Sequence, residues 1–396
     1  MISLTYIDLF CGIGGFHQAL NDLGAECILA CDIDKNCRIN YEQNYGIKPL
    51  NDIKDIDEHS LPDFDVLCGG FPCQPFSNGG KKKTFQDKRG GLFDEIMRIV
   101  KVKQPKFMFL ENVKHILKVS EGEVLKYIEE QIDLHGYVLQ RFQMSPHDYG
   151  VPQQRERIYF VCVRKDLYTG TPITLKAEDN VTIDVSTIIE KREDIDNQYY
   201  LKGDILEVLE AWDEMIQIFE EGETISPTIL IHDAYRIYTD EEFNNLAQWR
   251  KDYMKKNKRL IEKYHDAFAE WYTKHKDILS KREIYGKLEW QVGKVKANDS
   301  IFNYFIQVRQ SGIRVKKAHY FPTLVAISQI PIYGKEKRYI TPRECARLQS
   351  FPDTYQIDEN DKHSYKQFGN SVNVKNVKTV IESTLKHYYL GNKEVV

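Results

Sequence analysis

The sequence has no basic leader and no long apolar run. Its opening residues, Met1-Ile2-Ser3-Leu4-Thr5-Tyr6-Ile7-Asp8, offer neither a charged n-region nor an extended h-region, and no later stretch reaches the length of a membrane span. This predicts a soluble, cytoplasmic chain with no membrane partner. None of the eight cysteines sits in a C-x-x-C pair or at zinc-site spacing from a histidine, so free thiols and no metal are expected. Positive charge is also not in surplus. A formal net charge of −4 argues against a uniformly basic nucleic-acid binder, and any such surface must be local.

What is present is the composition of a packed globular protein, with 42% hydrophobic and 12% aromatic residues in a chain of 396. That length suits about two or three domains, or one enlarged α/β domain with an appendage. Charge is unevenly spread. Residues 301–345 carry eight Lys/Arg against two Glu, whereas residues 176–226 carry fifteen Asp/Glu against four Lys/Arg. Runs of this kind are often only solvated faces.

Leu4–Phe10 reads as a strand running into Cys11-Gly12-Ile13-Gly14-Gly15, followed by Phe16, Ala19, Leu20 and Leu23 at helical spacing. A second strand, Glu26–Cys31, ends at Asp32, twenty residues after Gly12, where a carboxylate can take ribose hydroxyls. Together the two features favour an adenosine-bearing cofactor over a plain tight turn. Further strands are predicted at Asp65–Cys68, Pro105–Leu110, Val138–Phe142 and Arg157–Val163, with helices at Leu92–Val102 and Val124–Leu134. Strands alternating with helices predict a parallel, doubly wound sheet. Ligands then bind at the carboxyl ends of the strands, where Gly12–Gly15, Asp32, Cys73 and Glu111 would converge.

Cys73 lies between Pro72 and Pro75, a stiff loop that suits a nucleophile and equally a small apolar turn residue. Glu111 ends an apolar strand, where burial would raise its pKa and make it a proton donor; a loop-capping role is the alternative. Arg155 and Arg157, two residues apart at a strand entrance, are expected on one face, binding a phosphate or base carbonyl or forming ion pairs. The loop Asn78–Gly91 joins glycines to Lys81, Lys82, Lys83 and Arg89, a composition for hinge motion and phosphate contact.

Asp8 through Phe16, Gly70-Phe71-Pro72-Cys73-Gln74-Pro75-Phe76-Ser77, Glu111-Asn112-Val113, Gln153 through Arg157, Pro342 through Arg347 and Gly369-Asn370-Ser371-Val372 resemble, in order and spacing, the motifs of DNA cytosine-5 methyltransferases of the bacterial restriction-modification type. The resemblance covers roughly residues 1–165 and 315–390. It implies a Rossmann-like methyltransferase sheet and S-adenosylmethionine as cofactor, with S-adenosylhomocysteine as product. The cofactor would be held by Phe10, Gly12, Gly14, Gly15, Asp32, Ile33, Asp52, Ile53, Asn370, Ser371 and Val372. It also implies that Cys73 adds to carbon 6 of a flipped-out cytosine, that protonated Glu111 bonds N3, and that Arg155, beside Arg157, contacts the base carbonyl. Water is the expected base for the C5 proton. Double-stranded DNA is the expected partner, contacted by Ser77, Lys81, Lys82, Lys83, Arg89, Arg309 and Arg314; a monomer is expected, with a cognate restriction endonuclease as a possible companion.

Three domains are predicted: 1–165 catalytic, 166–325 an inserted target-recognition domain with a helical block, and 326–396 returning to the first. In the block, Gly203–Glu221 and Glu241–Leu279 carry apolar stripes that read as core, leaving Ile301–Lys317 as the candidate base-reading stretch. Val374, Val377, Val380, Ile381 and Leu385 mark a final amphipathic helix. Three rivals explain less. A catalytically silent DNA-binding relative would lack the thiol, the carboxyl or the cofactor glycines, and all are present. A transfer-RNA cytosine methyltransferase fits the recognition segment poorly, and a nicotinamide dehydrogenase leaves Cys73 and Glu111 idle.

Overall fold

A computed structural model describes residues 4–72, 91–175, 181–225, 227–235, 238–327 and 329–390. The chain divides into two units, Met1–Asp184 with Pro342–Val396, and Val185–Thr341.

The first unit is built on a six-stranded sheet: β1 (Thr5–Leu9), β2 (Glu26–Cys31), β3 (Val66–Gly70), β4 (Phe107–Val113), β5 (Tyr137–Met144) and β6 (Arg157–Arg164), in the order β2-β1-β3-β4-β6-β5. The helices between them are α1 (Gly15–Asn21), α2 (Lys35–Tyr45), α3 (Gly91–Lys103) and α4 (Glu123–Leu134). Leu67, Met108, Leu110 and Phe160 on one sheet face pack with Phe93, Ile96 and Val100 of α3 and Val124, Ile128 and Ile132 of α4. Cover on both faces explains why the central strands are apolar at nearly every position. The expected parallel order holds for β1 to β4 only. β6 runs antiparallel to both β4 and β5, because residues 145–156 return the chain without a crossover helix.

The second unit holds another six-stranded sheet, in the order β12-β11-β9-β10-β8-β7. Its strands are β7 (Thr228–Leu230), β8 (Lys287–Gln291), β9 (Phe305–Arg309), β10 (Gly312–Lys316), β11 (Ile332–Tyr333) and β12 (Arg338–Tyr339). Helices α5 (Gly203–Gln217), α6 (Ile231–Tyr235), α7 (Asp240–Asn244), α8 (Gln248–Lys263) and α9 (His265–Ser280) account for the helical block. Trp212 of α5 and Phe268 and Trp271 of α9 pack with Leu288, Trp290, Ile306, Ile313 and Val315 in one core. The alternate positions, Glu289, Gln291, Gln307, Arg309, Arg314 and Lys316, form the other, polar face.

After this unit the chain makes α10 (Pro342–Leu348), α11 (Asp361–Asn370) and α12 (Val374–Leu385). The five apolar residues expected on the last helix are buried, and α12 packs along α1. The domain borders expected at 165/166 and 325/326 shift. Ile173 N–H donates to Gln140 Oε1 at 2.7 Å and Tyr388 donates to the Thr171 carbonyl at 2.6 Å, which ties residues 166–175 to the first unit. At the other end β11 pairs with β9 and β12 with β11, so the second unit runs on to Thr341. Among the described residues no helix is long and apolar enough to cross a membrane.

Candidate active site

The carboxyl edge of the first sheet opens on a cavity of about 740 Å³. Gly12 and Gly14 sit in the left-handed region (φ 54° and 84°), and a Cβ on Gly14 would lie 2.2 Å from the Tyr45 ring. The turn brings Gly12 N–H to Asp32 Oδ2 at 2.8 Å, while Asp34 N–H reaches Oδ1 at 2.7 Å. Asp32 is therefore fixed by two backbone donors, each oxygen keeping a second lone pair. Burial raises its pKa, an effect opposed by those two N–H groups and by Arg38. Arg38 also holds the carbonyls of Asp32 and Ile33, at 2.8 and 2.9 Å. Next to them Ile33 is 74% exposed, an apolar side chain on the cavity lining. Asp52 accepts from Lys54 N–H at 3.0 Å and precedes the buried Ile53; both line the cavity.

The same cavity is lined by Glu111, the partner of Gly70 across β3 and β4. Its carboxyl is buried, and Arg157 Nε lies 3.0 Å from Oε1. The reversal of β6 is what makes this pair, since it puts the first residue of β6 beside the last of β4. Burial raises the Glu111 pKa, and the charges of Arg157 and Arg155 only partly offset it. Asn112 donates to the Phe71 carbonyl at 2.9 Å and accepts from Val113 N–H, fixing the exit from β3 against β4.

Arg155 lines the same cavity as Arg157 but makes different bonds. It precedes β6, is 2% exposed, and donates to the carbonyls of Gly369 at 3.0 Å and Ser371 at 2.8 Å. Both bonds use Nη2, whereas Arg157 is the arginine that pairs with Glu111. Burial, with the charge of Arg157 adding, lowers the Arg155 pKa to about 9. The 369–372 turn that it holds also lines the cavity. A Cβ on Gly15 would meet Val372 Cγ2 at 2.5 Å and Ser371 Oγ at 3.1 Å, so this turn closes directly on the start of α1. Tyr355 supports the closure by donating to the Ile13 carbonyl at 2.9 Å.

Cys73, Ser77, Lys81, Lys82, Lys83 and Arg89 lie outside the described residues. Pro72 and Gly91, the described residues on either side of that stretch, both line the cavity.

The family model for the C-5 cytosine-specific DNA methylase matches residues 4–386. The chain belongs to this family. Among curated proteins it is 32% identical to the Type II methyltransferase M.HhaI of Haemophilus parahaemolyticus, over 94% of this chain and 91% of that one. It is 31% identical to M.HpaII of Haemophilus parainfluenzae, over 98% and 90%. Among solved structures, the S. pombe Dnmt2 methyltransferase matches with a TM-score of 0.55 at 19% identity, over 97% of this chain and 98% of that one. The Entamoeba histolytica methyltransferase EhMeth matches at 0.57 and 19%, over 98% and 99%. These structures share the fold.

In the methylase the described candidate site residues thus line one cavity, except Gly14, which packs against Tyr45, and Arg309 and Arg314, which belong to the second unit and pair with Glu289. Sequence reasoning missed Asn112 and Lys366. Asn112 stands inside the Glu111-Asn112-Val113 motif, and its amide is what that motif adds to the loop. Lys366 Nζ lies 2.6 Å from Asp34 Oδ2 on the cavity lining, and no local pattern links two residues so far apart in the chain.

Proposed function

We propose that this methylase uses S-adenosylmethionine to methylate carbon 5 of a cytosine flipped out of double-stranded DNA, acting as a monomer beside a cognate restriction endonuclease. The residues fit that cofactor. Asp32 keeps lone pairs for ribose hydroxyls, Ile33 offers an exposed apolar surface to adenine beside Asp52 and Ile53, and Gly15 leaves a cradle against Ser371 and Val372 that a side chain would fill. Phe10, Gly12, Gly14 and Asn370 complete the assignment. When bound, the cofactor supplies an electrophilic methyl group on a sulfonium.

Cys73 is next in sequence to Pro72, which lines the cavity, and takes the nucleophile's role. Its thiolate forms a bond to carbon 6 of cytosine, and the displaced electron pair moves toward N3, where Glu111 delivers its proton. Carbon 5 becomes nucleophilic in consequence. Arg157 contacts the base carbonyl and holds Glu111 in place, while Arg155 positions the 369–372 turn. Once carbon 5 carries the methyl group, water removes its proton, the carbon 6–sulfur bond breaks, Cys73 leaves as thiolate, and N3 returns its proton to Glu111. Ser77, Lys81–Lys83 and Arg89 are assigned to the DNA around the extruded base, and the second unit, with Arg309 and Arg314, to reading the flanking pairs.

The buried Glu111–Arg157 pair, on a cavity that also holds the glycine turn and Asp32, is the observation that carries the reading. Bisulfite sequencing of DNA from an expressing host tests it. Cytosines methylated at one short sequence are expected with the wild type and not with Cys73→Ala. A Cys73→Ala protein that still methylates would refute the mechanism.

A further inference from the structure

One corner of the polar face in the second unit holds two guanidiniums on a single carboxylate. Strand pairing sets Glu289 opposite Arg314, and Arg309 reaches the same carboxylate from β9. Arg314 Nε lies 2.6 Å from Glu289 Oε2, Arg309 Nη1 lies 3.9 Å from that oxygen, and the Ser311 hydroxyl donates to Oε1 at 2.9 Å. Both oxygens of Glu289 are thereby engaged, and its side chain is only 13% exposed. Arg309 Nη1 is buried without a hydrogen-bond partner among the described residues. Two positions along β10, Lys316 shares the face, its ammonium 4.9 Å from the centroid of the Tyr320 ring.

A corner built only for stability would match acid to base. Here two guanidiniums share one acid, Lys316 adds a third cation to the same face, and burial together with the charge of Arg314 holds the pKa of both Arg309 and Lys316 down. The site is short of negative charge. Arg314 is the best placed of the three to meet a ligand. Its Nε is bound to Glu289, and neither terminal nitrogen makes a hydrogen bond among the described residues. A guanidinium gripped at Nε presents Nη1 and Nη2 as a fixed planar pair of donors. That pair matches the O6 and N7 acceptors of guanine in the major groove.

We propose that Arg314 reads a guanine of the target sequence and that Glu289 is the positioning residue that aims it. The inference rests on the second unit being the one that reads DNA. It adds a base, a donor pair and a supporting acid to that reading.

The experiment uses the full-length protein and a pool of duplexes randomised around a cytosine. Sequencing of the retained duplexes reports binding, and bisulfite sequencing of the same pool reports methylation. The wild type is expected to select a guanine at a fixed offset. Arg314→Lys and Arg314→Gln should each weaken that preference by about 5- to 150-fold while other positions keep theirs. Glu289→Gln, which keeps the shape and removes the charge, should weaken the same position and no other. A merely structural Glu289 would instead lower stability and leave the preference intact. Retained guanine selection in both Arg314 variants would overturn the proposal, as would a uniform loss of binding across all sequences with a reduced salt slope, the mark of a phosphate contact. If the wild type selected duplexes but methylated none, the catalytic reading would fail while the retained pool still decided this one.

Discussion

In the first unit, charge gathers at one sheet edge, where Asp32, Glu111 and the Arg155 and Arg157 pair come from three separate segments to one cavity. In the second unit, charge lies across a sheet face, with Glu289, Arg309 and Arg314 on neighbouring strands, and the apolar stripes of α5 and α9 fill the opposite side. The difference separates two tasks. An edge where strands end can enclose a small ligand and shift the proton affinity of a carboxyl, as burial does for Glu111. A face presents donors in a row at strand spacing, the geometry needed to meet a larger surface. Exchanging residues 185–341 for the matching unit of a methylase of different specificity should therefore change which sequence is methylated and not the chemistry. An active chimera with unchanged site preference would break the comparison.

The largest expected effect of a conservative change lies at the edge. Glu111→Gln should reduce turnover by about 10²- to 10⁴-fold with little change in cofactor affinity, because it removes the proton that N3 receives. As the proposed proton donor Glu111 has to be protonated, and burial raises its pKa, so wild-type activity should be present below that pKa and fall as pH rises through it. Single-turnover rates across pH would show this alkaline limb in the wild type and not in the variant.

A smaller loss is expected behind the cavity. Arg155→Ala leaves the Gly369 and Ser371 carbonyls without their charged donor, at a cost of about 1.5–3 kcal/mol for such bonds. Calorimetry should find cofactor affinity down by roughly ten- to hundredfold, with DNA selection by the second unit unchanged. Gly15→Ala should act on the same turn through Val372, since its Cβ would arrive 2.5 Å from Cγ2. Unaltered cofactor affinity in both variants would show that the turn does not shape the pocket.

The mildest test concerns stability alone. Asp8 is fully buried, Oδ2 has no hydrogen-bond partner among the described residues, and burial, with the charge of Asp32 adding, pushes its pKa up to about 8. A carboxyl held neutral in the fold but ionised when unfolded costs stability as pH rises from about 4 toward 8. Asp8→Asn should raise the Tm by a few degrees at pH 8 and by less at pH 5. Equal shifts at both pH values would contradict that origin.

The edge was legible in the sequence because its parts are local. Gly12 to Gly15 with Asp32, and Glu111 at the end of an apolar run, each carry their geometry within a few residues or at a spacing fixed by one helix. The direction of β6 was not legible, because strand periodicity is blind to direction and only the missing crossover helix reveals it. That one reversal decides which arginine pairs with Glu111, and the spacing of residues 155 and 157 alone does not distinguish them. The second unit shows the same limit more strongly. The stripes of α5 and α9 identified core, but β7 and β8 pair across residues 231–286, and no local pattern specifies such a contact. Glu289 drew no notice in the sequence for this reason, being one acid in a strand until Arg309 and Arg314 are laid beside it.

The proposed reaction turns on covalent addition of Cys73 to cytosine with proton delivery from Glu111. The most direct measurement incubates the protein and S-adenosylmethionine with a target duplex bearing 5-fluorocytosine at the methylated position, where fluorine cannot leave as a proton does, and maps the product by mass spectrometry. A stable adduct is expected, in which the Cys73 sulfur carries the methylated, fluorinated base. A duplex that binds and is methylated at its ordinary cytosine but yields no adduct when fluorinated, or an adduct on another residue, would contradict it.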